Sequence, residues 1–287
     1  MEPSGVTSTN SFQSAWQNLS LHIDPVFLQL GPISLRYYGL MFVAAIIISY
    51  YLLRYRIKQK EATYSAAMLE DFFTWVVIGV ILGARVGYVL IYNLPYYLSH
   101  PLEIFLPFTI QGGFRFIGIS GLSYHGGVLG GILGAYFFAK RTDVHFLRLL
   151  DFLIPVVPFG YTFGRIGNFL NGELFGRASD VPWAMYFYEG GRVLRHPSQL
   201  YEALFEGIIL FAVLWRIRNR KTVAGFHLGA YLVGYGVVRF FIEFTREADA
   251  QLGYFWNKFT MGQLLCFIMI LGGFLLISGK LFNKKTA

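Results

Sequence analysis

Seven runs of apolar residues, each close to the length that crosses a bilayer, decide what this chain can fold into. They cover approximately 34–53, 68–92, 121–139, 149–170, 198–216, 225–243 and 260–279. About 20 apolar residues in a helix span the hydrocarbon layer. Lipid offers no water to a backbone that is neither helical nor closed into a barrel. The expected fold class is therefore an all-α polytopic membrane protein with seven transmembrane helices. Pro155 and Pro158 interrupt the fourth run, which a membrane helix tolerates when neighbouring groups satisfy the freed carbonyls. The composition agrees, with 55% hydrophobic and only 14% charged residues.

The basic residues set the orientation. The net charge of +8 does not point to nucleic acid, because the cations cluster at the ends of apolar runs. Arg54, Arg56, Lys58 and Lys60 follow the first run, and Lys140, Arg141 and Arg148 the third. Arg216, Arg218, Arg220 and Lys221 follow the fifth, and Lys280, Lys284 and Lys285 the last. If seven helices alternate, all four groups share one side, which the positive-inside bias makes the cytoplasm. The N-terminus is then expected outside and the C-terminus inside. The first 33 residues lack a basic n-region and a continuous apolar h-region, so no cleavable signal peptide is expected. The expected organisation is an outer-face segment over 1–33 and one membrane domain over 34–287. That domain carries two outer connectors rich in Gly, Pro and aromatics: an extended arm at 93–120 and a small folded cap at 171–197.

The alternation brings polar residues of different helices to one depth. His125, Arg165, Asn168, Arg239, Glu243, Arg85, Glu202 and Glu206 all fall in the outer half of their runs. Ionisable groups inside a membrane face the protein interior and pair with one another or with a substrate. Tyr235, Arg239 and Glu243 are four apart and share a helix stripe, as do Arg165 and Asn168, three apart. Asn171-Gly172 is a turn signal that ends the fourth helix and leaves Glu173 at the mouth of a polar cavity. Each feature also has a plainer reading. Arg239 and Glu243 fit a structural i,i+4 ion pair, Arg85 fits a neutralising partner for Glu202 or Glu206, and His125 fits an interfacial polar residue. His196-Pro197-Ser198 reads as a helix start, and Gly126, Gly127, Gly130, Gly131 and Gly134 as a packing face.

Motifs of soluble enzymes are absent. Gly121-Leu122-Ser123-Tyr124-His125 lacks the second Gly of a nucleophile elbow. Neither His-Glu-x-x-His nor a phosphate-binding P-loop occurs. The lone Cys266 lies within an apolar run and reads as a packing residue. Any nucleophile therefore belongs to a substrate.

The segment Gly164-Arg165-Ile166-Gly167-Asn168-Phe169-Leu170-Asn171-Gly172-Glu173-Leu174-Phe175-Gly176-Arg177 resembles the signature of bacterial prolipoprotein diacylglyceryl transferases. Arg36-Tyr37-Tyr38-Gly39-Leu40-Met41, Gly83-Ala84-Arg85-Val86-Gly87-Tyr88 and Ser123-Tyr124-His125-Gly126-Gly127 resemble further motifs of that family. So do Arg195-His196-Pro197-Ser198-Gln199-Leu200-Tyr201-Glu202 and the run from Tyr235 to Phe244. Ala248 stands where the family has Pro, and Tyr124 where it has Phe.

The resemblance implies an enzyme of the bacterial cytoplasmic membrane. It implies transfer of the sn-1,2-diacylglyceryl group of phosphatidylglycerol to the lipobox cysteine of a prolipoprotein signal peptide, with release of glycerol phosphate. No metal or soluble cofactor is expected. Arg165 and Arg239 are the candidates for stabilising the leaving phosphate, because a guanidinium keeps its charge and binds phosphate through two parallel donors. Asn168 and Tyr235 add hydrogen bonds; Tyr38 and Gly176, within matching motifs, complete the expected substrate-binding set. Glu243 orients Arg239, and Glu173 orients the headgroup or Arg165. His125 is the candidate base, with electrostatic stabilisation of the thiolate by the arginines as the alternative. A transporter or flippase of an anionic lipid also needs a basic cavity, but it wants a polar path through both halves of the membrane and shows itself by inverted repeats, which are not evident.

Overall fold

A computed structural model describes residues 11–31, 33–104, 106, 108–109, 115–116, 121–220, 222–247 and 259–279. Lys221, Lys280, Lys284, Lys285, Ala248 and much of the arm, including Phe105 and Pro107, lie outside the described residues.

The described chain is mostly helical. Four helices are long and apolar enough to cross a membrane: α2 (Tyr37–Lys58), α3 (Ala66–Tyr92), the continuous stretch Phe146–Leu170, and Phe226–Thr245. The remaining apolar runs are also helical. They form α5 (Tyr124–Arg141), a stretch from Ser198 to Ile217, and α11 (Met261–Ile277). A short helix α1 (Ser11–Asn18) and a hairpin of β1 (Val26–Leu30) and β2 (Ile33–Arg36) precede α2.

The chain divides into two compact units. One comprises residues 57–149. Within it α3 and α5 pack through facing glycines. A Cβ on Gly130 would stand 2.0 Å from the Gly79 carbonyl oxygen, and one on Gly83 2.4 Å from that of Gly126. Only hydrogen fits there, so the glycine face read from the sequence is a packing face. The side chain of Ser123 caps α5, accepting from Gly126 N at 3.2 Å. Arg85 is buried. Its described hydrogen bonds go to the carbonyls of Glu103 (2.6 Å), Ile104 (2.6 Å) and Gly121 (3.2 Å), beside the Tyr97 ring. It thereby ties α4 (Leu94–Ser99) and the 3₁₀ turn Pro101–Ile104 to the end of α3.

The other unit comprises residues 1–56 and 150–287. The proline-interrupted stretch is α6 (Phe146–Leu153), a 3₁₀ turn at Ile154–Val156, and α7 (Val157–Leu170). Pro155 and Pro158 sit at the first positions of the 3₁₀ turn and of α7, where a missing N–H costs little. The stretch from Ser198 begins as α8 (Ser198–Tyr201) directly after Pro197, widens into a π-helix at Glu202–Ile209, and ends as α9 (Leu210–Ile217). α10 (Phe226–Ile242) starts at Gly225, and its first N–H groups are held from α6. The Asp151 carboxylate accepts from Gly225 N (2.7 Å), His227 N (2.8 Å) and Leu228 N (3.2 Å). A carboxylate here satisfies orphan donors and meets the positive end of the helix dipole.

The cap is folded. Ala184, Met185 and Phe187 are fully buried, and Phe169, Phe175 and Trp16 pack around them. Met185 and Arg195 exchange main-chain hydrogen bonds at 2.9 Å in both directions, and Tyr186 N donates to Gln17 O at 2.8 Å. Burial lowers the pKa of His196 in this cap, and the nearby Arg177 lowers it further.

Candidate functional site

α7 ends as the Asn171-Gly172 signal implies. Gly172 adopts φ +70°, and Leu174 follows at φ +57°. A left-handed leucine is strained by about 1–2 kcal/mol, and such strain is retained where the surroundings fix it. The main chain on either side of Glu173 is fixed here by two contacts. Gln199 Nε2 donates to the Glu173 carbonyl at 2.6 Å and Ser198 Oγ to the Leu174 carbonyl at 3.1 Å. The Glu173 carboxylate thereby faces back along α7. Asn168 Nδ2 donates to it at 2.8 Å, and Arg165 Nη1 donates to Asn168 Oδ1 at 3.3 Å.

Arg165 is also the first member of a charge cluster. Its Nε meets Glu202 Oε2 at 2.7 Å, and its guanidinium lies over the Tyr161 ring. Arg239 meets Glu243 at 3.0 Å, Glu202 at 3.5 Å and Glu206 at 3.8 Å. Arg246 donates to Glu202 Oε1 at 2.6 Å and lies 3.8 Å from Glu243. The Tyr161 hydroxyl donates to Glu206 at 2.5 Å and to Glu202 at 3.2 Å, and Tyr235 meets the Tyr161 ring edge-on. One carboxylate, Glu202, therefore serves three arginines.

Local structure explains the convergence. In the π-helix Glu202 and Glu206 both turn toward α7, and π-helical segments frequently occur at functional sites. The two helices touch where a Cβ on Gly207 would stand 2.1 Å from Thr162 Oγ1. Thr162 turns that hydroxyl onto the carbonyls of Pro158 (3.2 Å) and Ala203 (3.4 Å). On the α11 side, Thr260 caps the helix in a capping box with Gln263 and donates its hydroxyl to Glu243 at 3.0 Å. Gly262 leaves room for that carboxylate, because a Cβ there would stand 2.6 Å from Glu243 Oε1.

Burial divides the cluster by sign. The side chains of Glu202 and Glu206 are 0% exposed, whereas Arg165, Arg239 and Arg246 keep 19%, 16% and 21% of their surface. The carboxylates stand behind and the guanidinia in front. Such a surface presents several fixed N–H donors to one anion, with the geometry that favours phosphate or carboxylate.

Most of the expected site residues meet here. Arg165, Asn168, Glu173, Tyr235, Arg239 and Glu243 join one network. Tyr38 lies at its edge, where a Cβ on Gly167 would stand 3.1 Å from the Tyr38 ring. Gly176 allows a close backbone crossing, since a Cβ there would stand 2.2 Å from the Thr245 carbonyl oxygen. His125 occupies the first turn of α5 in the 57–149 unit, with its side chain exposed. Cys266 is buried in α11. The sequence places Glu202 and Glu206 at the shared depth and offers them as partners of Arg85, without a site role, and it singles out neither Tyr161 nor Arg246. The spacing was the available signal: Tyr161 is four residues before Arg165, and Glu202 four before Glu206.

The family model of prolipoprotein diacylglyceryl transferase matches residues 25–278. The chain belongs to the prolipoprotein diacylglyceryl transferase family. Relatives within the family are similar over almost the whole length. A phosphatidylglycerol–prolipoprotein diacylglyceryl transferase of Chlorobaculum tepidum is 46% identical over 264 residues, covering 91% of each chain. That of Bordetella avium is 47% identical over 257 residues, covering 88% of this chain and 93% of its own. That of Pseudomonas aeruginosa is 45% identical over 256 residues, covering 89% and 92%. Arg165, Asn168, Glu202, Arg239 and Arg246 all fall inside the matched family segment.

Proposed function

We propose that this protein transfers the diacylglyceryl group of phosphatidylglycerol to the cysteine thiol of prolipoproteins. The carrying observation is the front of three partly exposed arginines backed by fully buried carboxylates. Full-length relatives that bear the name of this reaction support the same reading.

In this reaction the substrate sulfur attacks the glyceryl carbon. The C–S bond forms, the C–O bond breaks, and the electron pair leaves with the phosphate of glycerol phosphate. The thiol, with a pKa of about 8.5 when free, must first lose its proton. Arg165 and Arg239 donate to the phosphate oxygens as charge grows on them, which is where preorganised donors accelerate a reaction. Asn168 and Glu173 hold the Arg165 side of the headgroup, with Tyr38 and Gly176 shaping its surroundings, while Glu243 and Tyr235 support Arg239. His125 takes the thiol proton.

The reading includes seven transmembrane helices in the bacterial cytoplasmic membrane. The N-terminus, the 93–120 arm and the 171–197 cap lie on the outer face, and the C-terminus lies in the cytoplasm. The membrane domain spans 34–287, with 1–33 as an outer segment. Fourteen Lys and Arg residues falling on one side of this arrangement support it.

The test is purified protein in nanodiscs with phosphatidylglycerol and a lipobox peptide. The expected result is a diacylglyceryl mass increase on the peptide and one glycerol phosphate released per modified thiol. A peptide with Ser in place of Cys gives neither. Movement of phosphatidylglycerol between leaflets without peptide modification refutes the reading in favour of a flippase.

A further inference from the structure

Arg165 has three holders, and one of them carries no charge. Its Nε meets Glu202 Oε2 at 2.7 Å, and its Nη1 donates to Asn168 Oδ1 at 3.3 Å. Both partners act in the plane of the guanidinium, where its N–H bonds lie. Two in-plane contacts still let the group rock about the line between them. The third holder is Tyr161, one helical turn earlier on α7. Its ring centroid lies 4.7 Å from Arg165 Cζ, within the roughly 6 Å over which a ring face attracts a cation. A ring against the face of the guanidinium removes the rocking that the in-plane contacts allow.

The ring is itself fixed. Its hydroxyl donates to the fully buried Glu206 at 2.5 Å, and Tyr235 of α10 meets it at 90°, with centroids 6.0 Å apart. A hydroxyl has one proton to give. Glu206 is the nearer acceptor, so Glu202 is left to the arginines. Charge explains why a ring serves here. Arg165, Arg239 and Arg246 are already balanced by Glu202, Glu206 and Glu243. A fourth carboxylate against Arg165 would hold it as firmly, but it would repel an anionic headgroup. The ring attracts the cation through its quadrupole and adds no formal charge. Arg165 Nη2 has no carboxylate or amide acceptor among the described residues, so it keeps its N–H groups for an anion.

We propose that Tyr161 is a positioning residue for the transfer: its ring, anchored on Glu206, sets the plane of the Arg165 guanidinium so that the free N–H groups meet the leaving phosphate. The identity of that anion rests on the proposed reaction; the hold of the ring on Arg165 does not. Tyr161 acts through Arg165 and leaves its charge unaltered. Its loss should therefore be felt where charge grows on the phosphate, in kcat, more than in the KM for phosphatidylglycerol.

The experiment measures initial transfer rates of the full chain in nanodiscs with phosphatidylglycerol varied. Tyr161→Leu is expected to lower kcat at least tenfold and to leave KM within threefold. Tyr161→Phe keeps the ring and should lose only two- to fivefold. On an Arg165→Lys background, which has no planar group to orient, Tyr161→Leu should cost less than a further twofold. A loss in Tyr161→Phe equal to that in Tyr161→Leu assigns the effect to the hydroxyl and overturns the proposal. So does a full tenfold loss on the lysine background, which marks a merely structural residue. A second readout needs no transfer: the Nε–H resonance of Arg165 in chain labelled with ¹⁵N-arginine, identified by its loss in Arg165→Lys. It should shift in Tyr161→Leu and stay in place in Tyr161→Phe. Where Tyr161→Leu does not fold, Tyr161→Phe decides, and a displaced Arg165 resonance there overturns the proposal. An unmoved resonance in Tyr161→Leu, in a protein whose wild type transfers diacylglyceryl, overturns the positioning and leaves the reaction standing. The expected shifts in a protein that transfers nothing overturn the reaction and leave the hold of Tyr161 on Arg165 standing.

Discussion

Glu202→Gln tests the cluster at its centre. The carboxylate accepts from Arg246 at 2.6 Å and Arg165 at 2.7 Å, with Arg239 at 3.5 Å and the Tyr161 hydroxyl at 3.2 Å. Glutamine keeps the volume but replaces one oxygen by an NH₂, so one arginine faces a donor. A hydrogen bond to a charged partner contributes about 1.5–3 kcal/mol and a neutral one about 0.5–1.5. Weakening the two short contacts therefore costs about 2–3 kcal/mol of arginine positioning. At about 1.4 kcal/mol per factor of ten, kcat/KM is expected to fall roughly 30- to 150-fold.

Lipid binding is expected to respond in the opposite sense. The substitution removes one negative charge from a cluster of three arginines and three carboxylates, so attraction for an anionic headgroup does not fall. The assay is transfer to a fluorescent lipobox peptide in nanodiscs, with phosphatidylglycerol binding measured on the same preparation and thermal unfolding as the control for folding. A wild-type kcat/KM in the folded variant refutes the positioning role. A transfer loss that merely follows a loss of lipid binding refutes the division between arginine front and carboxylate back.

Arg165→Lys is expected to lose at least tenfold in transfer although the charge remains, because lysine lacks the planar pair of donors; a rate within twofold of wild type sinks the bidentate reading. His125→Gln is expected to retain phosphatidylglycerol binding and slow transfer, with the residual rate rising from pH 6 to 9 as the substrate thiol ionises unaided; a wild-type rate at pH 6 removes His125 from the role of base. Gly130→Ala is expected to destabilise the α3–α5 pair, since its Cβ would stand 2.0 Å from a carbonyl oxygen; unchanged unfolding temperature contradicts the close packing. Single-cysteine variants made on a Cys266→Ala background are expected to label from outside within 171–197 and not at 218; outside labelling at 218 breaks the seven-helix topology.

The sequence was most legible where a single physical rule governs a whole element. Hydrophobic length located the helices, and Asn171-Gly172 located the end of α7 because a left-handed position there admits glycine without cost. Arg165, Asn168 and Glu173 were legible because an arginine and its polar neighbours within an apolar run need partners. The partners themselves were harder. Glu202 and Glu206 meet Arg165 through a π-helix, which no apolar periodicity announces, so their pairing was left open with Arg85. Arg85 instead shows a use of buried arginine that composition cannot foretell, donating to main-chain carbonyls of a turn. Arg246 lies past the end of an apolar run and reads as an interfacial charge until the fold brings it to Glu202.

The balance of charge in the cluster bears on turnover. Three arginines without carboxylates behind them would bind an anionic headgroup tightly, but they would bind the product at least as well. Cleavage converts a phosphate diester into a monoester, which gains a second ionisable oxygen. Affinity shared by substrate and product lowers KM without accelerating the reaction, and it delays release. The carboxylates moderate that attraction while holding each guanidinium in place, so the arginines act through directed hydrogen bonds rather than surplus charge. On this argument Glu202→Gln has a second signature: stronger inhibition by glycerol phosphate together with slower transfer. Weaker or unchanged product inhibition in that variant leaves Glu202 as a positioning residue and removes the carboxylates from control of release.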